Sequence, residues 1–204
     1  VSGGRSSSAT WRVAVRDGWC RSVLQGHTNW VLKVAWSPDG RQLATGGLDG
    51  MVGIWSTVVA QHLRWLEGHG REVTALDFDP DGQHLLSSSY DCTLRYWHVA
   101  QGEAIRILRG HAAEVTCGIL SRHLPMVLSG SLDGRVRVWN VENGQTLLDL
   151  RGHEGAVFSV ALSLTDRLAA TAGTDRRILL WELPSGRSLG ELRGHSGPIT
   201  AMSF

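Results

Sequence analysis

Leu128-Ser129-Gly130-Ser131-Leu132-Asp133-Gly134-Arg135-Val136-Arg137-Val138-Trp139 is the stretch on which the fold turns, because the chain carries it in four versions. Its hydroxyl residue, Asp and Trp recur as Thr45, Asp49 and Trp55, as Ser87, Asp91 and Trp97, and as Thr171, Asp175 and Trp181. In every copy the Asp follows the hydroxyl residue by four positions and precedes the Trp by six. Working outward, Gly-His pairs punctuate the chain at Gly26-His27, Gly68-His69, Gly110-His111, Gly152-His153 and Gly194-His195, each 42 residues after the last. A fixed period with fixed internal offsets is the signature of a repeat architecture.

Each unit reads as four short strands. In the first, residues 31–36 are a short apolar run and Ser37-Pro38-Asp39-Gly40 is a turn, Pro presetting φ and Gly accepting positive φ. Residues 42–47 follow as the second strand, Asp49-Gly50 as a hairpin turn, 51–55 as the third strand and 62–66 as the fourth. The second unit turns on Asp79-Pro80-Asp81-Gly82 and carries Asp91-Cys92 in its hairpin. The third turns at 121–125 and the fourth at Ser163-Leu164-Thr165-Asp166, with Asp175-Arg176 in the hairpin. Four full units are expected at 26–67, 68–109, 110–151 and 152–193.

This pattern resembles the WD40 repeat family, whose units of about 40 to 45 residues carry Gly-His near one end and Trp near the other and form four-stranded propeller blades. The implied fold is all-β: a WD40 β-propeller of four complete repeats plus a split or partial fifth. The family's Trp-Asp dipeptide is absent, the Trp being followed by Ser56, His98, Asn140 and Glu182. That departure weighs against the Trp-Asp-x-Arg signature of ubiquitin-ligase substrate receptors.

The partial units stand at the ends. Residues 1–25 read as a degenerate unit, with 1–4 matching 127–130, a loop at 5–8, strands at 9–15 and 19–24, and a turn at Asp17-Gly18. Residues 194–204 supply a first strand at 199–204. The two pieces are complementary, so either the ends meet in a composite fifth blade that removes exposed sheet edges, or the chain is a slice of a larger ring of about seven blades. The missing initial Met points to a chain cut from something longer.

Charge is balanced, 20 Lys and Arg against 19 Asp and Glu, and gives no electrostatic argument for DNA, whose non-specific binding rests on clustered positive charge. Cys20, Cys92 and Cys117 form no disulfide framework, and no Asn-x-Ser/Thr acceptor occurs, so a reducing, intracellular setting is expected, cytoplasmic or nuclear. No apolar run reaches the roughly 18 residues of a membrane helix, so no membrane is expected as a partner, and residues 1–8 lack a signal peptide's apolar core.

His27 with Thr45 and Asp49, and its three equivalents, contain the residue types of a Ser-His-Asp triad. A triad needs one exposed nucleophile, and four identical sets, each with a Trp at the same offset, argue for structure instead. The resemblance implies a buried chain in every blade, Trp N–H to hydroxyl, hydroxyl to His, His to Asp: His27, Thr45, Asp49, Trp55; His69, Ser87, Asp91, Trp97; His111, Ser129, Asp133, Trp139; His153, Thr171, Asp175, Trp181. Donor and acceptor inventories fit that order. No catalytic residue, metal or cofactor is therefore expected. His84 and His98 flank a strand pair without a third ligand at metal spacing. The Gly46-Gly47-Leu48-Asp49-Gly50 run lacks the Gly-Lys-Ser/Thr of a phosphate loop.

Propeller function resides in loops at the faces. The positions that bind partners in this family fall here on Trp30, Leu32 and Leu48; Glu72, Thr74 and Tyr90; Glu114, Thr116 and Leu132; Ala156, Phe158 and Thr174. They imply an aromatic and apolar patch edged by Glu72 and Glu114, of the kind that anchors protein interfaces. The expected function is a non-catalytic scaffold or sensor module of a larger intracellular protein that binds a protein or peptide there, oligomeric only if the propeller is open. The alternative is a ribonucleoprotein or nucleic-acid-associated component working through Arg135/Arg137 and Arg176/Arg177. A hydrolase built on the Ser-His-Asp sets is the third reading.

Overall fold

The computed structural model of the 204-residue chain describes residues 11–15 and 19–204, with side chains from Ser22 onward. Every regular element among the described residues is a β-strand paired antiparallel with its sequence neighbour. β1 (Trp11–Val15) and β2 (Trp19–Leu24) make a two-stranded sheet. Four four-stranded sheets, the blades, follow. The first holds β3 (Val31–Trp36), β4 (Gln42–Gly47), β5 (Val52–Ser56) and β6 (Gln61–Leu66). The second holds β7 (Val73–Phe78), β8 (His84–Ser89), β9 (Thr93–His98) and β10 (Glu103–Arg109). The third holds β11 (Val115–Leu120), β12 (Met126–Ser131), β13 (Val136–Asn140) and β14 (Thr146–Leu150). The fourth holds β15 (Val157–Leu162), β16 (Leu168–Gly173), β17 (Ile178–Glu182) and β18 (Arg187–Leu192).

The blades pack face to face, and side-chain size sets how closely. The second strand of each blade is small and buried almost throughout: Ala44-Thr45-Gly46-Gly47, Ser87-Ser88-Ser89, Ser129-Gly130-Ser131, Ala169-Ala170-Thr171-Ala172. A Cβ on Gly46 would stand 2.5 Å from Val73 Cγ1, and one on Gly130 2.6 Å from Val157 Cγ1, so glycine there lets adjacent blades touch. The cores are the seams. Ala44, Val52, Ile54 and Leu66 meet Val73, Phe78, Leu85 and Trp97. Leu86, Leu94 and Leu108 meet Val115, Leu120 and Trp139. Leu128, Val136, Val138 and Leu150 meet Val157, Val160 and Trp181. The outermost strands are mostly exposed, β18 entirely so.

Polar clasps join the seams on the face of the first turns. Asp166, on the β15–β16 turn of the fourth blade, reaches into the third, where its Oδ2 accepts Ser121 Oγ–H (2.7 Å) and the N–H groups of Arg122 (3.0 Å) and His123 (2.9 Å). Asp77 of the second blade accepts Leu120 N–H at 2.8 Å and Arg122 Nη2–H at 2.9 Å.

Residues 199–204, expected as a strand, join no sheet. Ile199 is buried and donates its N–H to Gly173 O at 3.1 Å, and Met202 N–H reaches Ser159 Oγ at 3.0 Å, so the segment lies against the fourth blade. A strand needs a ladder partner, and the expected second strand, residues 1–4, falls outside the described residues, as does the loop at 5–8.

Candidate functional site

The four sets of recurrent polar residues lie as four hydrogen-bonded chains. The indole N–H of Trp55, Trp97, Trp139 and Trp181 donates to the hydroxyl of Thr45, Ser87, Ser129 and Thr171 at 2.7, 2.7, 2.8 and 2.9 Å. Those hydroxyls stand 2.7, 2.7, 2.8 and 2.8 Å from Nε2 of His27, His69, His111 and His153. Nδ1 of the same rings meets Asp49, Asp91, Asp133 and Asp175 at 3.0, 2.8, 3.0 and 2.8 Å. One neutral tautomer satisfies every member: Nδ1–H donates to the carboxylate and Nε2 accepts from the hydroxyl.

Each Asp also closes its hairpin. Asp49 accepts the N–H of Thr28 and Met51, Asp91 those of Gly70 and Thr93, and Asp133 those of Ala112 and Arg135. The residue after the Asp takes a left-handed conformation, easy for Gly50 and Gly134 but strained for Cys92 (φ 67) and Arg176 (φ 64). The chains offer no nucleophile. Ser87, Ser129 and Thr171 are fully buried, and each hydroxyl is already committed at both ends.

Burial pushes the pKa of His69 and of His111 down, against the raising effect of Asp91 and Asp133. For the aspartates, burial alone would raise the pKa, but hydrogen bonds from the histidines and backbone N–H groups outweigh it, so Asp49, Asp91, Asp133 and Asp175 all titrate low. The two effects share a sign. A histidine with a lowered pKa stays neutral in the folded state while the unfolded state gains its proton near 6.5, so its stabilisation is full above that pH and lost as pH falls through it. The aspartates act in the same direction below 3.8. Asp77 and Asp79, raised by burial, oppose them in acid. The histidine effect is therefore read between about pH 7 and 5.5, where the unfolding temperature should fall. A flat or rising profile there would contradict the neutral assignment.

The same hairpins border a cavity. The first strand of every blade carries a register shift at its second residue, between Val31 and Lys33, Val73 and Ala75, Val115 and Cys117, and Val157 and Ser159. Such a bulge re-aims one side chain. The residues so placed, Leu32, Thr74, Thr116 and Phe158, all line one cavity of about 440 Å³, together with Thr200, which stands one further period along. Lys33, Leu48, Glu72 and Tyr90 complete its wall. First strands from all four blades thus face a common channel.

Of the positions expected on the partner face, Leu32, Leu48, Glu72, Thr74, Tyr90, Thr116 and Phe158 share this cavity. Outside its lining, Trp30 (68% exposed), Leu132 (37%) and Thr174 are exposed, and Glu114 and Ala156 are half-buried. The loops are tied to the hairpins by one repeated backbone bond: Leu48 N–H to Trp30 O, Tyr90 to Glu72, Leu132 to Glu114, Thr174 to Ala156.

Position counting missed the cations. Arg71 donates to Glu114 at 2.8 Å, lies 3.4 Å from Glu72, and stacks 5.6 Å from the Tyr90 ring centroid. Lys33 also lines the channel. Arg71 sits one residue before the counted positions and Lys33 one after, so neither entered the set. The arginines of the nucleic-acid reading are largely engaged within the fold. Arg135 pairs with Asp149, Arg137 stacks on Trp139, and Arg177 contacts Glu154, Asp175 and Glu191, leaving Arg176 exposed.

No helix of the described residues is long and apolar enough to cross a membrane. The chain is similar to several curated proteins over single-repeat stretches. It is 49% identical over 47 residues to the small ribosomal subunit protein RACK1z of Arabidopsis thaliana, 23% of this chain and 14% of that protein. It is 52% identical over 33 residues to a probable cytosolic iron-sulfur protein assembly protein 1 of Cryptococcus neoformans, 16% and 8% of the two chains. It is 44% identical over 46 residues to a ribosome biogenesis protein WDR12 homolog of Drosophila persimilis, 22% and 11%. The matched stretches thus span less than a sixth of each relative. The model of the WD domain, G-beta repeat, matches at residues 18–56, 60–98, 102–140 and 144–182. Those windows start one strand earlier than the blades do, the first running from β2 through β5. With four matched repeats spanning more than half of its 204 residues, the chain belongs to the WD40 repeat family.

Proposed function

We propose that this chain is a non-catalytic interaction module that holds a protein or peptide on the channel face, inside a cell and within a multi-component assembly. The observation that carries the reading is the convergence of Leu32, Thr74, Thr116, Phe158 and Thr200, five positions one period apart, on one cavity walled by Tyr90 and Leu48. A bound segment could seat an apolar or aromatic side chain between Phe158 and Tyr90. Glu72 and Lys33, the charged members of the lining, could meet polar groups beside it. Trp30 and Leu132, exposed outside the cavity, extend the apolar area. The relatives' names, ribosomal subunit, ribosome biogenesis and iron-sulfur protein assembly, belong to large assemblies and support the setting.

The test is selection of a displayed peptide library on the immobilised chain, followed by affinities for Tyr90→Ala and Phe158→Ala. Aromatic anchors at interface centres typically contribute about 2 kcal/mol or more, so each variant should bind selected peptides at least about thirtyfold more weakly. Peptides that bind both variants as tightly as the parent chain would place the site elsewhere.

A further inference from the structure

We propose that Asp79, Asp81 and His84 form a binding site for a divalent transition-metal cation of the zinc type, on the face opposite the hairpins that build the channel. The proposal rests on a comparison of the first two blades at the same turn. In the first blade, Ser37 Oγ–H donates to Asp39 Oδ1 at 2.7 Å, and Gln42 follows five residues after Ser37. In the second blade, Asp79 replaces the serine, Asp81 matches Asp39, and His84 replaces the glutamine. The backbone bonds of the turn are shared, Ser37 N–H to Gln42 O at 2.9 Å and Asp79 N–H to His84 O at 3.1 Å, and Gln42 N–H reaches Ser37 Oγ as His84 N–H reaches Asp79 Oδ1, at 2.8 and 3.0 Å. The chemistry is changed, because the hydroxyl that bridged to the second aspartate has become a carboxylate.

Two carboxylates now converge where a donor and an acceptor stood. One ligand atom from each of Asp79, Asp81 and His84 lies within 4.8 Å of the others. Among the described residues, neither carboxylate is ion-paired with Lys or Arg, and the ion pair recorded is His84 Nδ1 to Asp79 Oδ2 at 2.7 Å. Asp79 is buried. His84 is held in place by Tyr96, whose ring stacks on it at 5.0 Å and 19°. Asp79, His84 and Tyr96 also line a cavity of about 470 Å³, which gives an ion an approach from solvent. Two carboxylate oxygens and an imidazole nitrogen suit Zn²⁺, which is commonly held by mixed His and carboxylate ligands, with an open position for water. The imidazole separates this set from an ordinary acidic surface. In the sequence, His84 and His98 have no third ligand at metal spacing. The fold supplies two, both from a turn that precedes the His84 strand.

The experiment is a calorimetric titration of the chelator-stripped chain with zinc chloride near neutral pH, repeated with Asp81→Asn and with the double variant Asp79→Ser/His84→Gln. The double variant rebuilds the first blade's Ser37, Asp39 and Gln42 arrangement, so it should fold, as an unchanged metal-free unfolding temperature would verify. The proposal expects saturable binding at one equivalent, weakened about tenfold or more in Asp81→Asn and abolished in the double variant. It also expects a metal-induced rise in unfolding temperature that the double variant lacks. Absence of saturable binding up to about millimolar zinc overturns it, as does binding of equal affinity in the double variant, which would belong to other histidines.

Discussion

Trp139→Ala should lower stability by about 3–5 kcal/mol, a large part of what holds a domain of this size together. Trp139 is wholly buried, and its ring packs in the seam formed by Leu86, Leu94, Leu108, Val115 and Leu120. Truncation removes that surface and leaves a cavity that the small, close-packed second strands have little freedom to fill. Its N–H to Ser129 Oγ is lost as well. Two further variants separate the contributions. Trp139→Phe keeps most of the ring and deletes the donor. Ser129→Ala keeps the ring and removes the hydroxyl joining Trp139 to His111, leaving a buried N–H and a buried imidazole nitrogen at about 1–3 kcal/mol each. Urea unfolding measures all three. A hydrolase would predict the reverse for Ser129→Ala, lost turnover with stability intact. A midpoint unchanged in that variant would refute the structural role.

Asp166→Ala should cost about 3 kcal/mol, although the residue sits in a turn. One carboxylate oxygen serves three donors of the neighbouring blade, and hydrogen bonds to a charged acceptor are the strong ones. Asp166 also holds φ at 55°, a conformation that Asn and Asp accept more readily than Ala. Asp166→Asn keeps the backbone preference and an acceptor, so it should fall between Ala and the parent. Because the clasp joins two blades, a broadened transition in the alanine variant would mark uncoupling of the fourth blade. A change below about 0.5 kcal/mol would show the clasp to be incidental.

Legibility followed distance along the chain. β3 and β4 are readable from apolar runs and turn residues within one period; the fixed offsets show that the His, hydroxyl, Asp and Trp recur, and the order in which they bond comes from the family resemblance. Asp166 was read as part of a turn, and nothing local marks it as reaching Ser121, 45 residues away. Asp77 and Arg122 meet across the same separation. Arg71 escaped because the family's positions are the third and fifth residues after each His and Arg71 is the second after His69, yet its long side chain reaches Glu114 of the next blade. The resemblance already sets Leu32, Thr74, Thr116 and Phe158 on one face, and they share one cavity; what the sequence hides is the bulge that aims them, because a bulge is a property of paired strands and leaves no mark on a single strand's sequence.

The one-strand offset between matched repeat and sheet bears on how such a chain can be cut and rejoined. A cassette taken at the repeat ends, 60–98, carries β6 with β7, β8 and β9: the rim of one sheet and three strands of the next. Grafted elsewhere, it must find foreign partners on both sides, so every splice tests two registers at once. A cassette cut at successive Gly-His pairs moves a whole sheet and leaves each ladder with its original partners. Shuffling in the first phase selects for interchangeable rims. Shuffling in the second selects for interchangeable seams.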